Sequence, residues 1–164
     1  MSRVSSLAEG PTDLDRVWGK RREYYDIFMG DYNDSLDRAD PVLVELCRIR
    51  IAQLVESSFD LSLRYEPAGA VEEKIGALAE YPDSPLFTDR ERAVLEYAEQ
   101  FVIQSSSISD DDVARVQAHL TPEEFIYLTK ALGVMDQFAR ANSAFRLGAA
   151  TTVPRSMRAF TVRT

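Results

Sequence analysis

The chain has 164 residues, 45% of them apolar and 10% aromatic, enough for one domain with a core of its own and too apolar for a disordered chain. Its 19 basic and 27 acidic residues leave a net charge of −8, which repels phosphate backbones and excludes a nucleic-acid-binding surface. One cysteine, one histidine and seven glycines exclude internal disulfides, a histidine-based metal cluster and a glycine-rich phosphate loop.

No apolar run approaches the roughly 20 residues that span a bilayer, and Met1–Ser6 has no apolar stretch of the kind a secretory signal needs. The expectation is a cytoplasmic protein without a membrane partner, a metal or a cofactor. Residues 1–12 are small, polar and aperiodic and predict a flexible N-terminal arm ahead of a helical domain over 13–164. A first helix is expected from Leu14 to Met29, offering Trp18, Tyr24, Tyr25 and Phe28 for packing. Gly30-Asp31-Tyr32-Asn33-Asp34 reads as a turn-rich break.

Asp40-Pro41 has the form of an N-cap followed by proline at the first helical position. Val42–Val55 is apolar around most of its circumference, the mark of a buried helix. A short helix is expected after Glu56-Ser57-Ser58, reaching about Tyr65, and another over Glu72–Tyr81, ended by Pro82 and Pro85. Thr88-Asp89-Arg90-Glu91 and Thr121-Pro122-Glu123-Glu124 are capping boxes, and Ser109-Asp110-Asp111-Asp112 opens a helix with acids in its first turn. The last helix carries Phe125, Leu128, Leu132, Met135, Phe138 and Phe145 at helical spacing. No period-2 segment of useful length exists, so the fold class is all-α.

The stretch Pro41-Val42-Leu43-Val44-Glu45-Leu46-Cys47-Arg48-Ile49-Arg50-Ile51-Ala52-Gln53-Leu54 resembles the core helix of the carboxymuconolactone decarboxylase and alkylhydroperoxidase D-like superfamily. Gly69–Ile75, Ser84–Ala93 and the closing helix through Gly133, Arg140 and Asn142 are also similar to it, so that the resemblance covers roughly residues 36 to 150. It implies a single-domain bundle of about six helices with the 41–55 helix at its centre. It further implies a homo-oligomer, trimer or hexamer, for which the aromatic-rich first helix is a candidate interface. In the peroxidase branch the core helix runs into Cys-x-x-Cys-x-x-x-His. Ser57, Asp60 and Arg64 stand at those positions here, whereas Glu45 matches the branch's proton-relay glutamate.

Two readings attach to each of these residues. Glu45 and Arg48, three apart on an apolar helix, form either a structural ion pair or, beside a pocket, a general acid/base with a carboxylate-binding arginine. Ser57 and Asp60 form either a cap of the next helix or an orienting pair, and Arg64 either pairs with Asp60 or binds a carboxylate through its forked donors. Cys47 is expected to be a small core residue, and His119 a helix-C-terminal residue. The resemblance implies a cofactor-independent lyase or isomerase acting on a small organic acid by decarboxylation or proton transfer. Glu45 would move the proton, Asp60 or Ser57 would orient the substrate, Arg64 or Arg48 would hold its carboxylate, and Tyr65 would line the pocket. The alternative is a catalytically inactive binding or assembly module. An open pocket at Glu45 favours the enzyme; a Glu45 consumed by Arg48 favours the module.

Overall fold

A computed structural model describes residues 2–5 and 9–163; residues 1 and 6–8 of the expected arm lie outside them. Among the described residues there are eight α-helices: α1 (Asp13–Trp18), α2 (Arg22–Asp37), α3 (Pro41–Leu54), α4 (Ser58–Leu61), α5 (Glu72–Gly76), α6 (Asp89–Gln104), α7 (Asp110–Gln117) and α8 (Pro122–Phe145). Strands β1 (Leu63–Tyr65) and β2 (Phe160–Val162) pair antiparallel, with Arg64 opposite Thr161.

Side chains set the helix starts. Thr88, Ser109 and Thr121 each form a reciprocal capping box with the acid three residues on, and Thr12 does the same with Asp15. Asp40 accepts from the amides of Val42 and Leu43, and Pro41 takes the first helical position. From that start α3 runs through the middle of the molecule against α6 and α8, and Leu46, Cys47, Ile49 and Ile51 on it are buried. Apolar burial on several faces explains why its sequence lacks one polar side.

Four local expectations differ from the structure. The first helix ends at Trp18, a 3₁₀ turn carries Gly19–Arg21, and α2 then runs unbroken through Gly30–Asp34 to Asp37. The turn-forming residues of that stretch are held in the helix from inside: Tyr32 and Leu36 are buried, the Ser35 hydroxyl donates to the Asp31 carbonyl, and the Asn33 amide donates to Met29 and Ser156 carbonyls. Burial outweighs the propensity deficit of a few tenths of a kcal/mol per residue. The short helix after Ser57 stops at Leu61, because beyond the cap residue Ser62 the chain Leu63–Tyr65 is drawn into the pairing with β2. Helix α5 ends at Gly76, followed by a 3₁₀ turn over Leu78–Glu80.

Past α8, Arg146 turns the chain back in a left-handed conformation (φ 53°). Residues 147–163 then form a strap fixed by side chains of the bundle. The amides of Gly148, Ala150, Arg155 and Arg158 donate to Asp13, Ser62, Asp15 and Asn33 respectively. The strap ends in β2, which lays Phe160 against Tyr32, Tyr65 and Arg48. At the other end of the chain, the Ser2 hydroxyl and the Arg3 amide donate to the Phe145 carbonyl.

Candidate functional site

Helical periodicity places Glu45 and Arg48 on one side of α3, and the chain reversal after α3 carries Ser57 and Asp60 back beside them. Glu45 is 0% and Arg48 2% exposed. Arg48 Nε donates to Glu45 Oε2 at 2.7 Å and Nη2 to Glu45 Oε1 at 2.8 Å, a bidentate pair. The remaining donors reach backbone: Nη1 to the Asp60 carbonyl at 2.8 Å, Nη2 to the Leu63 carbonyl at 2.7 Å. The Phe160 ring covers the guanidinium at 5.3 Å. Burial alone would discharge Arg48, but the Glu45 carboxylate outweighs it and raises the guanidinium further above its ordinary value.

Asp60 is the other buried acid. Its Oδ2 accepts from the Ser57 hydroxyl and, at 3.0 Å, from the Asn142 amide on α8. Burial pushes its carboxyl above the usual carboxylate range, although Ser57, Asn142 and Arg48 each oppose the shift. Ser57 caps α4 by accepting from the Asp60 amide at 3.5 Å. The Asp60 side chain does not return the bond to the Ser57 backbone, having been taken by the hydroxyl and Asn142 instead. Tyr32, sealed beside this cluster, feels the charges of Arg48, Asp60 and Glu45, and burial raises its phenol.

The remaining predicted site residues lie elsewhere. Arg64 is on β1 rather than on a helix, and it does not meet Asp60. It pairs with Glu72 and donates to the carbonyls of Leu61 and Leu63. The β pairing removes the i, i+4 geometry that an ion pair with Asp60 required. Tyr65 is buried, and its hydroxyl donates to Asp37 at 2.9 Å. Arg48 faces Glu45, two carbonyls and a ring, not a cleft. Cys47 is buried on α3, and burial pushes its thiol up to about 12.

No family model matches the chain. YnjA, an uncharacterized protein of Escherichia coli K12, is 32% identical over 140 residues, covering 82% of this chain and 77% of YnjA. A crystal structure from Agrobacterium tumefaciens, of a protein of unknown function connected by name with the antioxidant defence protein AhpD, superposes with a TM-score of 0.71. It is 20% identical and covers 84% of this chain and 96% of its own. An uncharacterized peroxidase-related protein from Silicibacter sp. TM1040 superposes at 0.69, with 16% identity over 88% of this chain and 76% of that one. The chain belongs to the YnjA family and has the alkylhydroperoxidase D-like fold.

In this YnjA relative the described clefts are lined by residues outside the buried cluster. One of about 600 Å³ runs along α6 between Tyr81, Arg92 and Ile103. Another, of about 650 Å³, lies between Glu56, Ser58 and Arg146, over the start of α4. None of the described clefts is lined by Glu45, Arg48, Ser57, Asp60, Arg64 or Tyr65. Two members of the cluster escaped the motif comparison as site residues, Tyr32 and Asn142. Asn142 left a trace in the sequence, as an amide on the side of α8 that otherwise buries Phe138 and Ala139.

Proposed function

We propose that this chain is a non-redox member of its family in which the motif positions of the peroxidase branch have become structural core, and that it acts as a binding or assembly module. The observation that carries the reading is the bidentate closure of Arg48 on Glu45, with both side chains buried. A general acid/base must reach substrate, directly or through one water, and Glu45 has both oxygens occupied by Arg48. Ser57 and Asp60 stand where the peroxidase branch keeps its thiols, and their mutual hydrogen bond ties the start of α4 to α8 through Asn142.

The lyase reading would use the same residues on a small organic acid, and it requires an opening beside Glu45. Thermal-shift screening with small mono- and dicarboxylates separates the two. The module reading expects no acid to shift the melting point through the cluster. A stabilising acid whose effect vanishes in Glu45→Gln restores the enzyme. The module is further proposed to assemble with copies of itself. The aromatic residues of the expected first helix are redistributed by the fold: Tyr25 and Phe28 are core, and Trp18 stacks on Phe28, leaving Tyr24 and Ile27 outward.

A further inference from the structure

The N-terminal arm, the start of α2 and the strap meet around a small recess. Glu9, Asp15, Gly19, Arg22 and Tyr25 line it from the N-terminal elements, and Arg155 and Ser156 line it from the strap. Its volume is about 60 Å³. A water needs about 10–15 Å³ of such space, so the recess takes a molecule of about four heavy atoms.

The recess contains a donor with nothing to bond. Tyr25 is 4% exposed, and its buried hydroxyl has no hydrogen-bond partner among the described residues, a condition that folded proteins keep rare. The Ser156 hydroxyl is near enough to act on the phenol without forming a hydrogen bond to it, and the charges of Asp15, Asp26 and Arg22 act on it too. The tip of Tyr25 therefore sits among the lining side chains. Burial and then the Asp15 charge raise the phenol, so it stays protonated and can donate.

Asp15 does not take that proton. Its Oδ2 already accepts from the Thr12 amide and hydroxyl, and its Oδ1 from the Arg155 amide. The groups left free beside it, exposed Glu9 apart, can all donate. They are the Tyr25 and Ser156 hydroxyls, the Arg155 guanidinium and the Nη atoms of Arg22, which holds Asp26 through Nε. Donors gathered around so small a space call for a small oxyanion. Its charge is set by the lining, where two carboxylates offset two guanidiniums: one negative charge is accommodated and two are disfavoured.

We propose that this recess binds a small monovalent carboxylate, of the size of formate or acetate, with Tyr25 and Ser156 donating to its oxygens and Arg22 and Arg155 supplying the opposite charge. The site is separate from the Glu45 cluster and goes beyond the module reading. A carboxylate held there joins the arm and the strap to the start of α2.

An NMR titration of the whole chain with sodium acetate tests it, with ionic strength held constant by sodium chloride. Acetate should move the amide signals of Gly19, Tyr25, Arg155 and Ser156 to saturation and leave those of Glu45 and Arg48 in place. Tyr25→Phe removes only an unpartnered hydroxyl, so the melting curve should not fall. The acetate Kd should nevertheless rise about tenfold or more, the usual contribution of a hydrogen bond to a charged acceptor. Arg155→Ala, at an exposed position, should weaken binding as well, and sulfate, with two charges, should bind more weakly than acetate. Signals that follow acetate no more than chloride, a Tyr25→Phe protein that titrates like the wild type, or sulfate binding more tightly than acetate overturns the assignment and leaves the module reading standing. Saturable movement at Glu45 and Arg48 instead, lost in Glu45→Gln, overturns both.

Discussion

Arg48 lies one turn beyond Glu45 on α3 and grips both of its carboxylate oxygens, at 2.7 and 2.8 Å, with neither side chain reaching solvent. Isolated, each charge would be several kcal/mol too costly to bury. Together, and with two backbone carbonyls completing the guanidinium, they form a junction between α3, the end of α4 and β1.

That junction predicts an asymmetric mutational response. Arg48→Met leaves Glu45 buried without a partner, so urea unfolding should show a loss of about 3–5 kcal/mol. Glu45→Leu together with Arg48→Met removes both charges and should recover most of that loss, because replacing a whole buried pair with apolar groups is often neutral. Equal losses for the single and double variants would show that the pair contributes nothing beyond the volume it fills.

Asp60 predicts a pH dependence. Burial raises its folded pKa above the ordinary value of 3.8, so folding favours the protonated form. Its contribution is then fully present below the unfolded pKa and is lost as pH rises through the folded pKa. Asp60→Asn keeps a neutral polar group at the same place and should gain stability relative to the wild type as pH is raised from about 4 to about 8, read as the difference in unfolding free energy. A variant that loses ground with rising pH would mean that the folded carboxylate is held charged.

The thiol of Cys47 should be inert. With its pKa pushed up to about 12 and no exposure, it has neither the thiolate nor the access that reaction requires. Alkylation should proceed only at the rate of global unfolding, and hydroperoxide turnover with a dithiol reductant should stay at background. Turnover that disappears in Cys47→Ser would contradict this.

Arg64 should matter little to stability. Its partner Glu72 is 58% exposed, and pairs of that kind contribute about 0–1 kcal/mol. Arg64→Ala should therefore shift the melting temperature by no more than about 4 °C. A larger drop would assign Arg64 a structural role through the Leu61 and Leu63 carbonyls rather than through Glu72.

Much of this was legible in the chain. The buried character of α3, its Asp40 cap and the boxes at Thr88 and Thr121 are local signals, written within four residues, and the structure repeats them. So is the Glu45–Arg48 spacing, although the sequence left both ion pair and acid/base catalyst open. What completes the pair is the Phe160 ring and the carbonyls of Asp60 and Leu63, which come from 12 to 112 residues away. The same long-range packing keeps α2 helical through Gly30–Asp34, where turn propensity argued for a break. It also draws Arg64 into a strand, where helical spacing argued for a partner in Asp60. Short segments betray their neighbours in sequence, and a strap from the other end of the chain leaves no mark on them.

The closed state of the cluster can be read directly from the Arg48 Nε–H proton by NMR hydrogen exchange. That proton is expected to exchange only through global unfolding, orders of magnitude more slowly than the exposed guanidinium of Arg22. Exchange of Arg48 at a rate near that of Arg22 in the folded protein would show that solvent reaches Glu45, and would contradict the structural reading of the site.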